Sequence, residues 1–329
     1  MVTLAATRLT LTDQAQRTAP DGTIPMIAEL LMQQNEVMQY IPMEEGNLTT
    51  GHQVVIRSGL PDVANRKINA GIPDSKSSTV KVTEAASLLE GMSKVDKELL
   101  RLGGNSARMR FTEDLAFMEA MKQQFATNLL YADPDTDPEN HLGLSPRYDS
   151  LSADNANNII DAGGSSDLTS VWLVNFDINK VFGIFPEGTQ AGIEFNDLGE
   201  QLVSDRDGND YVAMVSQYIW RFGLVVKDWR YAVRIANIDT GDLTKDASGS
   251  SVDLVDIMID AMETIEDTDS GQPVFLVSRK VRNFLRRQKK NDTNVRIAMD
   301  EVEGRKVLNF DDVPVVRMDA LLNTETQIT

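Results

Sequence analysis

The stretch "SQYIWRFGLVVKDWRYAVRIANID" (216–239) alternates large apolar side chains with polar ones, which is the period of a β-strand. Its rings lie at even positions in the first half and at odd positions in the second. The rings are those of Tyr218 and of the four residues predicted to pack in the sheet, Trp220, Phe222, Trp229 and Tyr231. The parity therefore changes at Lys227-Asp228, where the chain must turn or gain one residue.

Two arrangements fit this change of parity. A two-residue hairpin at Lys227-Asp228 would set Arg221 opposite Arg234, and Lys-Asp lacks the Gly or Asn that such tight turns favour. A β-bulge avoids both objections, so we predict one long strand over about 216–239, interrupted by a bulge. Either arrangement favours sheet packing of the rings over a nucleic-acid stacking platform. The cations form a charged face that we expect to pair with Asp or Glu of the same or an adjacent chain. They are Arg221, Arg230 and Arg234.

Composition limits the function classes. The 329 residues are 41% hydrophobic and 25% charged, as in ordinary folded proteins, and 50 acidic against 32 basic residues give a formal net charge of −18. This balance opposes generic nucleic-acid binding, which depends on Lys and Arg.

Cysteine is absent, which excludes disulfides, thiol catalysis and Cys-ligated zinc. No stretch approaches the roughly 18 apolar residues of a membrane span, and the start lacks the apolar core of a secretory signal.

Local patterns divide the chain into segments. Residues 1–46 form a polar arm that ends in a helical apolar stripe. In 47–91, two strand-like segments flank a turn-rich excursion, which predicts an ordered, reaching loop. The clearest helix covers about 107–131, with Thr112 as a plausible N-cap and one apolar stripe suited to packing across a sheet. Strand and helix signals alternate over 250–325, which indicates a compact α/β unit.

The last helix of that unit, "RKVRNFLRRQKKN" (279–291), is strongly basic. Val281, Phe284 and Leu285 form its apolar stripe, and cations occupy the other faces. These are Arg279, Lys280, Arg282, Arg286, Arg287, Lys289 and Lys290. A solvated or salt-bridged face is the favoured interpretation, and phosphate contact is the alternative.

No segment predicts a catalytic, cofactor-binding or metal-binding residue. In "DPDTDPENH" (133–141) three Asp have EF-hand spacing, but Pro138 stands where the loop needs Gly and Leu144 where it needs Glu. The two histidines, His52 and His141, have no Cys or other pattern that makes a metal cluster or nucleophilic triad. Nothing in the sequence argues for an enzyme.

Several phrases carry a resemblance to a known family. They are "IRSGLPDVANRKINAGIPDSKSSTVKVTEAASLLEG" (56–91), "HLGLSPRYDSL" (141–151), "VKDWRYAVRIANID" (226–239), "FLVSRKVRNFL" (275–285) and "VPVVRMDAL" (313–321). With their order they cover most of the chain. The sequence resembles major capsid proteins of tailed bacteriophages with the Hong Kong 97-type fold, particularly the epsilon-fifteen-like group of short-tailed phages.

The resemblance implies an α+β capsid fold and a domain plan. Residues 1–46 would be the N-terminal arm and 47–91 the extended E-loop. The peripheral domain would cover 92–249, including a spine helix at about 107–131 and the long strand at 216–239. The axial domain and C-terminal segment would cover 250–329. Because the long strand precedes the α/β unit here, the topology could be a permuted version of the familiar one.

The implied function is mechanical. Copies would form pentamers and hexamers that close into an icosahedral shell around double-stranded DNA, without sequence-specific binding, assembled in the bacterial cytoplasm. The resemblance also implies scaffolding, portal and cement proteins as partners, and it implies no contact with a membrane. The E-loop residues expected to contact neighbouring subunits are Arg57, Asp62, Arg66, Lys67, Asp74 and Lys76. Two alternatives stay open, namely an encapsulin-type shell with non-viral cargo and a nucleic-acid-binding protein that uses the basic helix at 279–291.

Overall fold

The computed structural model describes Gln33 and residues 35–69, 71–102, 106–205, 208–243, 253–290, 297–302 and 305–329. Most of the predicted N-terminal arm therefore lies outside the described residues. The chain divides into two compact units. Among the described residues, the first contains Gln33 and those within Leu88–Ala126 and Gly192–Arg221, and the second contains those within Asn35–Ser87, Thr127–Ala191 and Phe222–Thr329.

The elements are as follows in chain order. The strands are β1 (Met43–Glu45), β2 (Gly51–Gly59), β3 (Ser78–Ala85), β4 (Ser87–Asp96), β5 (Ile159–Asp161), β6 (Leu168–Phe176), β7 (Val181–Phe185), β8 (Ile193–Ser204), β9 (Asp210–Val226), β10 (Ala232–Asp239), β11 (Gln272–Val277), β12 (Ile297–Val302), β13 (Arg305–Phe310) and β14 (Val313–Arg317). The α-helices are α1 (Lys97–Leu102), α2 (Ser106–Tyr131), α3 (Leu254–Thr264) and α4 (Arg279–Lys290). None of the described helices is long and apolar enough to cross a membrane.

In the first unit, helix α2 packs on the antiparallel hairpin of β8 and β9. Phe125 stacks on Trp220 with ring centroids 4.3 Å apart, and Phe117 stacks on Tyr218 at 6.3 Å. The even-numbered rings of β9 thus form the apolar face that their spacing predicted. Helix α2 begins at Ser106, so Thr112 lies inside the helix and the N-cap prediction at that residue is wrong.

The predicted apolar stripe of α2 is only partly buried. Its C-terminal members Met121, Phe125 and Leu129 are buried, whereas Phe111 and Leu115, near the start of the helix, are exposed. The apolar spacing of a helix identifies which face is apolar. How much of that face is buried depends on how far the opposing sheet extends along the helix.

In the second unit, β6 is the central strand and all nine of its residues are buried. It pairs antiparallel with β11 on one side and with β10 on the other. Strand β14 then adds parallel to β11, and β5 adds parallel to β10. A strand buried on both faces reads as a continuous apolar run, which explains the composition of "LTSVWLVNF" (168–176).

Both faces of this sheet are covered. Helices α3 and α4 cover one face and share a core cluster with Leu173, Ile235 and Phe275. On the other face, Tyr148 packs edge-on against Trp172, and the C-terminal segment bridges to Leu168. The α/β unit predicted at 250–325 therefore shares its core with β6 and β10, from earlier in the chain.

The prediction of one bulged strand over 216–239 is wrong. Strand β9 ends at Val226 and β10 begins at Ala232, with a 3-10 turn at Trp229–Tyr231 between them. The side chain of Asp228 caps this turn by accepting a hydrogen bond from the backbone N–H of Arg230. The two strands then pair with different neighbours, β9 with β7 and β8, and β10 with β5 and β6. The parity change therefore marks a capped turn.

This turn also corrects the prediction for two of the four rings. Trp220 and Phe222, in β9, are 4% and 3% exposed, as sheet packing requires. Trp229 is 40% exposed and Tyr231 is half-buried, because the 3-10 turn takes them out of the sheet. The backbone carbonyl of Trp229 still accepts a hydrogen bond from the Tyr148 hydroxyl at 2.7 Å.

The two tryptophans allow a matched test. We expect Trp220→Ala to lower the free energy of unfolding by about 3–5 kcal/mol, because it removes a buried ring and leaves a cavity. Trp229→Ala should cost less than about 1 kcal/mol, since most surface substitutions are mild. Urea unfolding monitored by circular dichroism measures both. Equal costs at the two positions would contradict the assignment.

Candidate functional site

The feature most unlike an ordinary globular surface is the ribbon of β2 and β3. The two strands form their own antiparallel two-stranded sheet, with His52 opposite Glu84 and Ile56 opposite Val80. Between them, residues 60–69 and 71–76 are all exposed. We call Gly51–Ala85 the assembly hairpin. It confirms the strand, excursion and strand pattern predicted within 47–91.

The hairpin exposes large apolar side chains at its tip. The exposed fractions are 80% for Leu60, 95% for Val63, 93% for Ile68 and 63% for Ile72. An isolated two-stranded ribbon is only marginally stable in water, and a contiguous exposed apolar patch marks an interaction site. Within the tip, the Ser75 hydroxyl donates to the carbonyl of Asp62 at 3.1 Å and joins the outgoing and returning chains. The tip therefore has the character of a contact surface.

All six predicted E-loop residues lie on this hairpin and are exposed. They are Arg57 on β2 and Asp62, Arg66, Lys67, Asp74 and Lys76 in the tip. Between residues 57 and 81 the sequence has five cations against two acids, although the chain as a whole is acidic. The hairpin is therefore a locally basic surface with apolar side chains among its charges.

The base of the hairpin is held by a buried ion pair. Both terminal nitrogens of Arg147 donate to the carboxylate of Glu84, each at 2.7 Å. The two side chains are 13% and 7% exposed. Arg147 also donates to the carbonyls of Leu142, Gly143 and Leu224. One guanidinium thereby joins the end of β3 to the 141–151 loop and to β9.

Close backbone packing completes the base. A side chain at Gly51 would lie 2.0 Å from the carbonyl oxygen of Glu84, and one at Gly223 would lie 2.6 Å from that of Ala85. Glycine is therefore required at both positions. Val54 anchors the same end of the ribbon by packing into a small cluster with Phe182 and Val225.

His141 lies beside this anchor and is buried. Its Nδ1 is 2.8 Å from the hydroxyl of Ser87, which donates to the carbonyl of Phe222 at 3.0 Å. The hydroxyl can then only accept from the imidazole, so we infer that the proton of the neutral ring is on Nδ1. The buried Nε2 has no hydrogen-bond partner among the residues that the structure describes. Burial, followed by the positive charge of Arg147, lowers the pKa of His141 to about 4.

The three cations of the predicted charged face each pair with an acid of this chain. Arg221 contacts Glu194 at 2.8 Å, and Arg230 contacts Asp228 at 2.7 Å and Glu266 at 3.1 Å. Arg234, however, does not lie on an exposed face. It is buried under the C-terminal segment and donates to Glu325 at 2.9 Å and to the carbonyl of Tyr148 at 2.8 Å.

The anchoring residues Arg147, Glu84 and His141 were not predicted as functional. The signal that could have found two of them is the phrase "HLGLSPRYDSL" (141–151), which contains both His141 and Arg147. Their partners lie 54 residues or more away in sequence. Spacing within a short window therefore cannot pair them.

The acidic loop at 133–141 forms a self-contained turn. The Asp133 carboxylate accepts from the backbone N–H of Asp135 at 3.0 Å and from the Thr136 hydroxyl at 3.1 Å. In the part of the chain that the structure describes, no group of three or more His, Asp or Glu side chains is arranged to hold a metal ion. The side chains nearest the hairpin position its base, through the contacts of Arg147, Glu84 and Val54.

Comparisons with known proteins agree on one family. The family model "Major capsid protein GP7" matches residues 19–329. A chain in the near-atomic-resolution cryo-EM structure of bacteriophage Epsilon15 is 32% identical, with a TM-score of 0.75 and coverage of 100% of both chains. A chain from the bacteriophage JBD30 capsid is 13% identical over 88% of this chain and 92% of that chain, with a TM-score of 0.50, and supports the fold alone. Among curated proteins there is no match.

The mixed α+β fold is that of a phage capsid protein of the Hong Kong 97-like type, a structural subunit that builds the shell of a virion. More particularly, the chain belongs to the family of major capsid protein GP7. The predicted fold class and the predicted shell-forming function are thereby confirmed. The matches give no support to an encapsulin-type compartment or to a dedicated nucleic-acid-binding protein.

We expect Arg147→Ala to lower the free energy of unfolding by about 3–5 kcal/mol, because it leaves the buried carboxylate of Glu84 without its partner. Arg221→Ala is the control, since its more exposed pair with Glu194 should contribute less than about 1 kcal/mol. Chemical denaturation compares the two. Hydrogen exchange should also rise at β2 and β3 in the Arg147 variant, and unchanged exchange there would contradict the anchoring role.

His141 predicts an acid-sensitive contribution to stability. Its folded-state pKa of about 4 lies below the ordinary value of 6.5, so the unfolded chain binds a proton first as the pH falls. The contribution is intact above pH 6.5 and declines between pH 6.5 and 4, by about 3 kcal/mol in all. His141→Gln should flatten this part of the stability–pH profile, measured by urea unfolding at each pH. A profile as steep as that of the natural chain would rule out His141 as the source.

Proposed function

We propose that copies of this chain form pentamers and hexamers that close into an icosahedral shell around double-stranded phage DNA. The observation that carries the proposal is the assembly hairpin, an ordered ribbon whose tip exposes Val63 and Ile68 almost completely. Such side chains gain about 1.5–3 kcal/mol each when a partner surface buries them. A shell subunit has that partner in its neighbour, whereas an isolated chain does not.

The domain plan supports this assignment as follows. We propose that the assembly hairpin is the E-loop, which extends onto a neighbouring subunit, and that α2 is the spine helix of the peripheral domain. Residues 1–46 would be the N-terminal arm and 250–329 the axial domain with the C-terminal segment. The peripheral domain would lie between them at 92–249. Reaching segments of this kind provide the heterologous contacts that close a shell.

The six E-loop residues would then be intersubunit contacts. Arg57, Arg66, Lys67 and Lys76 give the hairpin a positive surface, and a neighbour with the same net charge of −18 has many carboxylates to meet it. The apolar tip residues would supply the buried centre of the contact, and the charges its polar rim.

The acidic balance of the chain also suits a DNA container. Because affinity for DNA comes chiefly from cations that neutralise phosphates, a strongly acidic lining holds its cargo weakly and without sequence preference. We propose assembly in the cytoplasm of the host bacterium, with scaffolding, portal and cement proteins as partners. The role is structural, without a catalytic step.

The test removes the apolar tip. In Val63→Ser/Ile68→Ser both positions are at least 93% exposed, so the free energy of unfolding should change by less than about 0.5 kcal/mol. Assembly into capsomers or shells, assayed by negative-stain electron microscopy and sedimentation, should fail. Scaffolding protein is supplied if the natural chain requires it.

The matched control is Ile178→Ser/Leu322→Ser, which alters two exposed apolar residues outside the hairpin. This variant should assemble like the natural chain. Normal shells from the hairpin variant, or a natural chain that stays monomeric at high concentration, would count decisively against the proposal.

A further inference from the structure

Two neighbouring helices of the second unit carry opposite charge. On α3 the exposed charged residues are all acidic, namely Asp256, Asp260 and Glu263. Residues 279–287 of α4 carry no acid, and their exposed cations are Arg279, Lys280, Arg286 and Arg287. We call these the acidic helix face and the basic helix face.

The two faces belong to the same side of one sheet. Helix α3 packs on β10 and α4 packs on β14, and both helices bury apolar residues in the same core cluster. The strand order β10-β6-β11-β14 puts two strands between those supports. At about 4.8 Å per strand, β10 and β14 are roughly 14 Å apart. The covered side of the sheet is thus acidic over β10 and basic over β14, and the first turn of α4 reaches the end of β10, where Lys280 donates to the Thr240 hydroxyl at 3.4 Å.

Helical geometry directs both charged faces to solvent. Leu254, Met258 and Ala261 of α3 are buried against the sheet, and the acids lie on the opposite side of that helix. The same holds for α4, where Val281 and Leu285 are buried and the cations lie opposite. One buried stripe and one charged stripe on each helix leave the charges free to meet another molecule.

The cations of the basic helix face are not neutralised within the described chain. Arg279, Lys280, Arg286 and Arg287 form no ion pair with any described residue, and neither do the three acids of α3. Elsewhere, arginines pair with carboxylates. Examples are Arg110, Arg147, Arg221, Arg234 and Arg317.

Half-buried Arg282 lies among these cations, and its Nε has no hydrogen-bond partner in the described part of the chain. Burial lowers the pKa of Arg282, and the charges of Arg286 and Arg317 lower it further, against the opposing effect of Glu36 and Asp319. An unneutralised cation cluster in a chain of net charge −18 calls for an acidic partner.

We propose that the basic helix face of one copy docks on the acidic helix face of the next copy in the shell. This inference rests on the proposed function. A second copy accounts for both faces at once, whereas DNA phosphates would account only for α4 and leave α3 without a role. Because the two faces lie over different strands, each copy can contact one neighbour through its acidic helix face and a second neighbour through its basic helix face. Repetition of that contact is heterologous and can close a ring.

The test is a charge swap. Arg286→Glu/Arg287→Glu should raise the subunit concentration needed for assembly by at least about tenfold, because like charges would face each other across the contact. Adding Asp260→Lys/Glu263→Lys to the same chain restores complementarity with reversed signs and returns the formal net charge to −18. This fourfold variant should assemble within about threefold of the natural concentration. Sedimentation velocity and negative-stain electron microscopy measure both.

The control for net charge is Arg101→Glu/Lys122→Glu, which makes the same change in charge at two positions of the first unit. It should assemble like the natural chain, and circular dichroism must show a native fold for every variant.

The inference is overturned if the α4 reversal assembles normally, or if the α3 reversal fails to rescue it. It is also overturned if duplex DNA binds α4 in the natural chain and the α4 reversal abolishes that binding while assembly continues. In each of these outcomes the natural chain still forms shells, so the proposed function stands. Only a natural chain that forms none would remove both.

Discussion

The buried ion pair between Arg147 and Glu84 is the interaction on which the assembly hairpin depends. A two-stranded ribbon has too little core to hold itself in place, so its position must be fixed where it leaves the body. The bidentate contact does this, with both side chains removed from water. Its geometric specificity matters more than its net energy, since desolvation offsets much of the attraction in a buried pair. The ribbon can then expose apolar side chains at its tip while its base stays ordered.

Short-range patterns in the sequence predicted the elements well. The stripe of α2 follows from a period of 3.6 residues, and the two strands around the excursion at 60–77 follow from a period of 2. The exposed tip of the hairpin was also predictable, because turn-forming residues without apolar periodicity cannot build a core. The family phrases then supplied the fold class, which no local period contains.

Tertiary pairing was the part that local patterns could not supply. At Lys227-Asp228 the parity of the rings changed as observed, but hairpin, bulge and capped turn all produce that change. The choice depends on which strands pair with β9 and β10, and those partners are β4 and the strands of 159–204. Arg234 shows the same limit. Its alternation with apolar residues suggested an exposed face, yet the C-terminal segment covers it and supplies Glu325, 91 residues away.

The distribution of exposed charge connects these elements to the proposed shell. Within the body, Arg110, Arg147, Arg221 and Arg234 meet carboxylates of the same chain, which leaves them unavailable to neighbours. Positive charge remains exposed at the hairpin tip and on α4, although the chain carries an excess of acids. When positive charge is concentrated on two surfaces of a molecule that is otherwise negatively charged, a positive surface of one copy attracts a negative surface of the next. Identical copies then make contact through different surfaces. Such contacts are heterologous by necessity, and heterologous contacts are what a closed shell requires.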